Sequence, residues 1–239
     1  MDPYRIYGEF YDATQGAPDG QDYLHLLRKH HPDAETLLEI ACGTGAHLLP
    51  LAEHYDVAGL DLSRTMLKHA RKRLPGAKFF RQDMARFHID RTFDAIICPY
   101  DSINHLLAFG DWVRTFKAAK RHLKPKGVFI FDMNTEYRLR ELATAPAWVQ
   151  HFGDDHMIMD VVCAGNGVTD WHIKIFERKR KNTYRLHYEI IKERSFDHDR
   201  VLAALRRCFD VVRAYDPKGW SRPKNSSRRL FYVCRKMSR

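Results

Sequence analysis

At 239 residues the chain can bury one sizeable core, and that length fits one domain (1–239) with an embellishment better than two domains. Hydrophobic residues make up 44% and charged residues 29%, no apolar run is long enough to span a bilayer, and residues 1–21 show no charged-then-apolar leader, so a soluble, cytoplasmic chain without a membrane segment is expected. The formal net charge of +10 admits nucleic acid, anionic membrane or acidic metabolites as partners and does not choose among them.

Helix and strand patterns alternate through the first half. Asp22 to His31 has apolar residues at helical spacing, and Leu37 to Ala41 reads as a short buried strand. Ala46 to His54 follows as a helix, Asp56 to Leu62 as the second strand, and Ser63 as the cap of a helix that Pro75 and Gly76 stop. A third strand is expected at Lys78 to Arg81 and a fourth, covered on both faces, at Phe93 to Tyr100. Trp112 to Leu123 is a helix ended by "KPKG", and Val128 to Asn134 is the fifth strand. Strands joined by helical crossovers imply a parallel, doubly wound sheet.

From about Ala147 the pattern changes to strands joined by Gly165 to Gly167 and by "RKRKN", which predicts an antiparallel β insertion over residues 147–196, placed to cover a crevice. Its aromatics Trp148, Trp171, Phe176, Tyr184 and Tyr188 could wall a pocket or join a second subunit, or for Trp171 and Phe176 form the insertion's own core. Asp197 then caps a helix through Arg207, and Phe209 to Asp216 and Arg228 to Lys236 are two last strands, antiparallel because no helix separates them. The five cysteines show no paired spacing and the histidines form no HExxH, so reduced thiols and no metal are expected. The densest basic stretches are residues 174–185 and 220–229; Asn182 makes the first a solvated hairpin tip, with an RNA-binding arm as the alternative.

The candidate site starts in "LLEIACGTGAHL". In an open parallel sheet, ligands sit beyond the carboxyl ends of the strands, and Gly43 and Gly45 occupy the first strand-to-helix turn. Gly43 permits a tight bend, Gly45 lets a ligand approach the main chain, and the amides opening the next helix favour an anionic group. Leu48 stands where a dinucleotide fold has its third glycine, and Ala46 where an NTPase has lysine. Asp61 ends the second strand and is placed to accept from both ribose hydroxyls, although alone it could merely cap the next helix. Asp83 follows the third strand and can accept from the exocyclic amine of a base, while Glu39 faces the same turn. Three carboxylates repel pyrophosphate and suit a positively charged nucleoside.

At these residues the chain resembles the class I S-adenosylmethionine-dependent methyltransferases. Glu39 to Gly45 stands as the family's first motif, Asp61 as its ribose-binding acid, "QDM" at Gln82 to Met84 as its adenine-contacting segment, and "HLKPKGVFIFD" as its helix, turn and fifth strand. "FYD" at Phe10 to Asp12 and "YDSINHL" at Tyr100 to Leu106 are similar to the subgroup of small-molecule N-methyltransferases that holds amino-sugar dimethyltransferases and glycine N-methyltransferase. The resemblance implies a Rossmann-like seven-stranded sheet of order 3-2-1-4-5-7-6 with the last strand antiparallel. It also implies S-adenosyl-L-methionine as cofactor, with S-adenosyl-L-homocysteine as product. The adenine would pack on Leu62, Met66 and Met84, and the methionine end would meet the backbone of Ala41, Gly43 and Gly45 with Glu39 near its amino group. Tyr11 and Tyr100 would approach cofactor or acceptor.

On the acceptor side, Tyr100, Asp101, Asn104, His105 and Asp132 should converge at the strand ends, with His105 and Tyr11 the catalytic candidates and Asn134 the possible start of a turn. Arg228 and Arg229 reach the same end, where one binds an anionic acceptor or both face water. The "CPY" at Cys98 to Tyr100 fails as a nucleic-acid amino-methyltransferase motif, because Ile97 stands where an amine-binding Asp or Asn is needed. The leading expectation is in-line methyl transfer to nitrogen or oxygen of a small molecule by a monomer or homodimer. RNA or protein methylation, and noncatalytic cofactor binding, are the alternatives.

Overall fold

The computed structural model describes residues 4–16 and 20–236, so part of the 1–21 stretch read for a leader lies outside the described residues. In chain order the elements are α1 (Tyr11–Gln15), α2 (Gln21–His30), β1 (Thr36–Ile40), α3 (Leu48–Leu51), β2 (Asp56–Asp61), α4 (Arg64–Arg73), β3 (Lys78–Arg81), β4 (Phe93–Cys98), α5 (Phe109–His122), β5 (Leu123–Asn134) and α6 (Glu136–Leu142). There follow β6 (Trp148–Phe152), β7 (Asp155–Gly165), β8 (Val168–Arg180), β9 (Thr183–Arg194), α7 (His198–Arg206), β10 (Asp210–Tyr215) and β11 (Arg229–Arg235). The main sheet runs β3-β2-β1-β4-β5-β11-β10, parallel through β5, with β11 antiparallel to both of its neighbours. With the four inserted strands set aside, this is the expected order.

The sheet is buried on both faces, which is why its central strands are apolar without a break. On β5 the period of two sends Phe129 and Phe131 into a cluster with Trp112 and Phe116 of α5 and Leu205 of α7. Val128 and Ile130 go to the other face, against Leu26 and Leu27 of α2. Gly59 of β2 is crowded by side chains beside it: a Cβ there would sit 2.6 Å from Phe79 on β3 and 2.7 Å from the Cys42 sulfur just beyond β1. Gly59→Ala should therefore lower stability by about 1–3 kcal/mol, measurable by denaturant unfolding.

Three local readings need correction. The helix expected at Ala46 to His54 is a single turn, Leu48–Leu51. A helix starting at Ala46 would need an N–H at Pro50 to bond the Ala46 carbonyl, and proline has none. The fifth strand begins at Leu123, with Lys126 at φ 66 bending the "KPKG" stretch inside it before regular pairing resumes at Val128. After Asn134 a short helix follows, capped by Thr135, whose hydroxyl accepts from the Arg138 amide at 3.1 Å.

The strands β6–β9 form a separate antiparallel sheet in that order. One face of it packs on the N-terminal segment: Met157, Met159, Ile173 and Ile175 cluster with Tyr7, flanked by Tyr4, Phe10, Tyr11 and Trp171. Phe176 falls on the opposite face, paired with Leu186, so of the two aromatics Trp171 alone joins that cluster. Glu189 of β9 fastens the segment further, its carboxylate accepting from the amides of Arg5, Ile6 and Tyr7 at 3.1, 3.3 and 2.7 Å. The N-terminal segment is thus held between the two sheets. No helix among the described residues is long and apolar enough to cross a membrane.

Candidate active site

The turn after β1 is built on left-handed backbone: φ is 57 at Ala41, 53 at Gly43 and 71 at Gly45. The two glycines do different work. A Cβ on Gly43 would meet nothing nearer than the Met66 sulfur at 4.0 Å, and Gly43 lines the cavity described next. A Cβ on Gly45 would stand 3.3 Å from the Ala70 side chain, so Gly45 lets the turn pack closely on α4, and it is not among the residues that line this cavity or the recess beside it. With α3 reduced to one turn, the helix N-terminus expected to favour an anion is lost as well. Gly45→Ala is expected to reduce stability by about 1–3 kcal/mol through its positive φ, with ligand affinity following only as folding is lost; thermal melts with and without cofactor separate the two.

A main cavity of about 690 Å³ opens at the tips of β1, β2 and β3. It is lined by Ala41, Gly43, Asp61, Leu62, Met66, Asp83 and Met84, which brings together most residues assigned to a nucleoside. Asp61 Oδ2 accepts from the Gly43 amide at 2.8 Å and Oδ1 from the Ser63 amide at 2.7 Å. Burial raises its carboxyl to about 6, against those two backbone hydrogen bonds, which pull it down. Asp83 likewise accepts from the Ala85 amide at 2.8 Å, leaving lone pairs for a ligand. Both acids therefore brace the backbone and keep lone pairs free.

A neighbouring recess of about 350 Å³ shares Tyr11, Ala41, Gly43 and Ser102 with the main cavity. Glu39 lines it but does not stand free: its Oε2 lies 3.0 Å from Nδ1 of His47, and both side chains are buried. Burial raises the Glu39 carboxyl while His47 opposes that rise. Sequence reasoning missed Asp12, Thr44 and Arg73 here. Asp12 accepts from the Thr44 hydroxyl and from Arg73, both at 2.6 Å, tying the N-terminal segment to the glycine turn and to α4.

Beyond β4 and β5 lies a buried polar network. Asp132, on β5, accepts from Tyr23, from the Asp101 amide at 2.9 Å and from Arg229. Arg229 also binds Asp101, and Asn134 donates to Asp101 at 2.9 Å. Of the two arginines, Arg229 is held by two carboxylates, while Arg228 pairs with Glu141 and faces water with its side chain 64% exposed. Asp132 and Asn104, expected to touch the acceptor, do not line the recess beneath the antiparallel sheet. Asn104 Nδ2 donates to the carbonyls of Asn134 and Arg194 at 3.1 Å, and its Oδ1 accepts from the Asn134 amide at 3.1 Å, which engages the whole side chain in bracing.

That inner recess, of about 220 Å³, is walled by Tyr4, Tyr7, Tyr11, Tyr100, Trp148 and Trp171. Asp101, His105, Arg138, Glu193 and Arg229 are among its polar lining. His105 Nε2 lies 3.0 Å from the Tyr4 hydroxyl and Nδ1 3.3 Å from the Lys192 carbonyl. A carbonyl only accepts, so Nδ1 carries the proton and Nε2 accepts from Tyr4. Burial lowers the His105 pKa and raises that of Tyr11, leaving both neutral near pH 7. Tyr188 lines the main cavity and Trp148 and Trp171 the inner recess, whereas Tyr184 lines none of these spaces. Glu193 and Glu189 were missed. Their signal was the alternation His187, Glu189, Ile191, Glu193, which sets two acids on the face of β9 that turns toward the apolar cluster.

A sheet ending in an antiparallel strand, with acids and no lysine at a glycine turn, is the arrangement expected of a class I S-adenosylmethionine-dependent methyltransferase, and the comparisons with known proteins point the same way. Residues 37–127 match the family described as a methyltransferase domain. Over 239 residues the chain is 26% identical to YqeM of Bacillus subtilis (strain 168), named as a methyltransferase, covering 98% of this chain and 97% of that one. It is 36% identical over 135 residues to the dTDP-3-amino-3,4,6-trideoxy-alpha-D-glucopyranose N,N-dimethyltransferase of Streptomyces venezuelae, covering 55% of this chain and 57% of that protein. The matched stretch spans about half the length of the amino-sugar dimethyltransferases it resembles. In fold it is similar to an S-adenosylmethionine-dependent methyltransferase from Clostridium acetobutylicum ATCC 824, with a TM-score of 0.85, 22% identity and coverage of 98% and 99%. The residues present fit S-adenosyl-L-methionine, the molecule bound in one fold neighbour, an amino pentose methyltransferase from Micromonospora echinaspora with a TM-score of 0.76, 24% identity and coverage of 98% and 97%. The fit is visible in the open space over Gly43 and in carboxylates where a phosphate would need cations.

Proposed function

We propose that the protein methylates the amino nitrogen of a small molecule of about the size of one sugar ring. The inner recess carries this reading. At about 220 Å³ it is smaller than the sites of drug-sized ligands. Its aromatic walls favour a cation, its acids attract an ammonium and would repel a phosphate backbone, and it shares Tyr4, Tyr11 and His105 with the main cavity. The similarity to amino-sugar dimethyltransferases supports the same acceptor class.

Bound S-adenosyl-L-methionine supplies a methyl group on a cationic sulfur, so the protein has chiefly to align an acceptor behind it and keep water out. In this proposal Asp61 accepts from the ribose hydroxyls and Asp83 from the adenine amine, while Leu62, Met66 and Met84 cover the base. The main chain at Ala41 and Gly43 faces the methionine portion, with the Glu39–His47 pair behind it. Tyr11 and Tyr100 line both the methionine recess and the inner recess and present rings to the positive charge. Neutral His105 is placed to take a proton at Nε2 once Tyr4 yields. The antiparallel sheet of residues 147–196 acts as the cover of the acceptor crevice, and the cysteines, none of which is disulfide-bonded, fit a cytoplasmic enzyme.

The test is incubation with methyl-labelled cofactor and a panel of primary amines and amino sugars, beside binding to mixed tRNA across a salt series. Label on an amine nitrogen with weak tRNA binding is expected. Tight, steeply salt-dependent tRNA binding without amine labelling would overturn the acceptor class, and cofactor binding with no labelled product from any extract would favour a noncatalytic binder.

A further inference from the structure

We propose, resting on the small-amine reading above, that Glu193 receives the acceptor nitrogen and that the indole N–H of Trp171 receives an oxygen beside it, so that the acceptor is an amino alcohol such as a sugar with amine and hydroxyl on neighbouring carbons. Both residues line the inner recess, on facing positions of the antiparallel sheet: Trp171 pairs with Ile191, two residues before Glu193 on the same face of β9.

Glu193 is 5% exposed; the Asn134 amide donates to it at 3.4 Å, the limit of a hydrogen bond, and its other side-chain partner is Asp101. Around it stand Asp101, Arg229 and Asn134, with Tyr4 and His105 across the recess. Arg229 is already held by Asp101 and Asp132, and Arg138, the other cation lining the recess, is paired with Glu141 at 2.8 Å. Neither is left to balance a third carboxylate. Burial, and next to it Asp101, accordingly raises the Glu193 carboxyl well above its ordinary value. A buried acid set against a second acid is suited to a ligand that brings its own positive charge.

The second observation is independent of charge. Among the described residues, the buried side-chain polar atoms without a partner are Gln150 Oε1 and Trp171 Nε1. Indole nitrogen only donates, so the group that completes Trp171 must be an acceptor, and a hydroxyl oxygen meets that need without adding charge to an acidic recess.

The chemistry balances. On entry of an alkylammonium, Glu193 loses its proton to solvent and pairs with the cation. One N–H proton then passes to the Glu193 carboxylate, the freed lone pair forms the bond to the methyl carbon, and the C–S electron pair returns to sulfur. Positive charge moves from sulfur to nitrogen, where the protein's acids still face it.

Calorimetric titration of the full chain saturated with S-adenosyl-L-homocysteine tests this, with 3-amino-3-deoxy-D-glucose, D-glucose and cyclohexylamine as probes in two buffers of different ionisation heat. The amino sugar should bind with release of about one proton, while D-glucose fails to bind. Glu193→Gln, a near-isosteric change, should weaken the amino sugar at least about tenfold and abolish the proton release. Trp171→Phe should weaken the amino sugar about fivefold and leave cyclohexylamine unchanged. Unaltered binding and proton release in Glu193→Gln, or equal losses for both amines in Trp171→Phe, would overturn the assignment. If the product binds and no amine does, this proposal fails and the cofactor site stands; if the product itself does not bind, the functional reading falls too.

Discussion

Asp61→Asn is expected to weaken S-adenosyl-L-homocysteine binding by about 2–3 kcal/mol, roughly thirty- to 150-fold. The carboxylate is the only group at the tip of β2 that can accept from both hydroxyls of a ribose while also holding the Gly43 and Ser63 amides. Charge on an acceptor roughly doubles the strength of each hydrogen bond, and two are at stake. The same group sets a pH dependence of known sign. Burial raises its folded value to about 6, above that of an unfolded aspartate, so the ionised form is the costly one in the free protein. As pH falls through about 6 the unliganded protein loses that cost, whereas ribose binding loses its charged acceptor. Affinity should therefore hold from pH 8 to 7 and decline below about 6, approaching tenfold per pH unit, while Asp61→Asn shows a flat profile. Isothermal titration at a series of pH values reads both results, and an equal decline in the variant would assign the dependence to another group.

The largest effect on folding should come from Arg229→Met. Arg229 joins Asp101 and Asp132, and the Asp132 side chain is 1% exposed. Removing one partner of a buried pair leaves uncompensated charge, at a cost of about 3–5 kcal/mol, or roughly 6–20 °C in thermal midpoint for a chain of this size. The sign with pH follows from the coupling. Burial already raises Asp132, and Arg229 is the main influence holding it down. Without the guanidinium, Asp132 takes up a proton more readily, and a carboxyl with a raised folded pKa contributes stability that is lost as pH rises through that value. The deficit of Arg229→Met should thus shrink between pH 7.5 and 5.5. Thermal melts at the two pH values check it; a deficit independent of pH would mean that Arg229 acts through packing alone.

The parts of the molecule written in local pattern were legible. Alternation of short apolar runs with amphipathic stretches gave β1–β5, and the missing helix between the last two strands gave the antiparallel β10–β11 edge. Asp61 and Asp83 could be placed because each sits at a strand tip, a position fixed by counting from the strand itself. What stayed hidden depends on contacts between distant segments. Glu39 meets His47 across a turn whose left-handed residues cannot be inferred from spacing, and Pro50 shortens the helix on which the anion-binding expectation relied. Asn104 and Asp132 were assigned to a ligand because they are polar at a strand end, yet buried amides and carboxylates there first satisfy the backbone around them. Glu189 and Glu193 look like surface acids of a hairpin until the N-terminal segment and the inner recess are seen to lie against that face.

The central claim is that the strand tips hold an adenosine without phosphates, gripped by acids. Equilibrium titration of the purified protein with S-adenosyl-L-homocysteine, ATP and NAD, with competition between them, measures it most directly. The account predicts one site for S-adenosyl-L-homocysteine that neither ATP nor NAD displaces. Displacement by either pyrophosphate ligand at comparable concentration, or no uptake of S-adenosyl-L-homocysteine by folded protein, would contradict it.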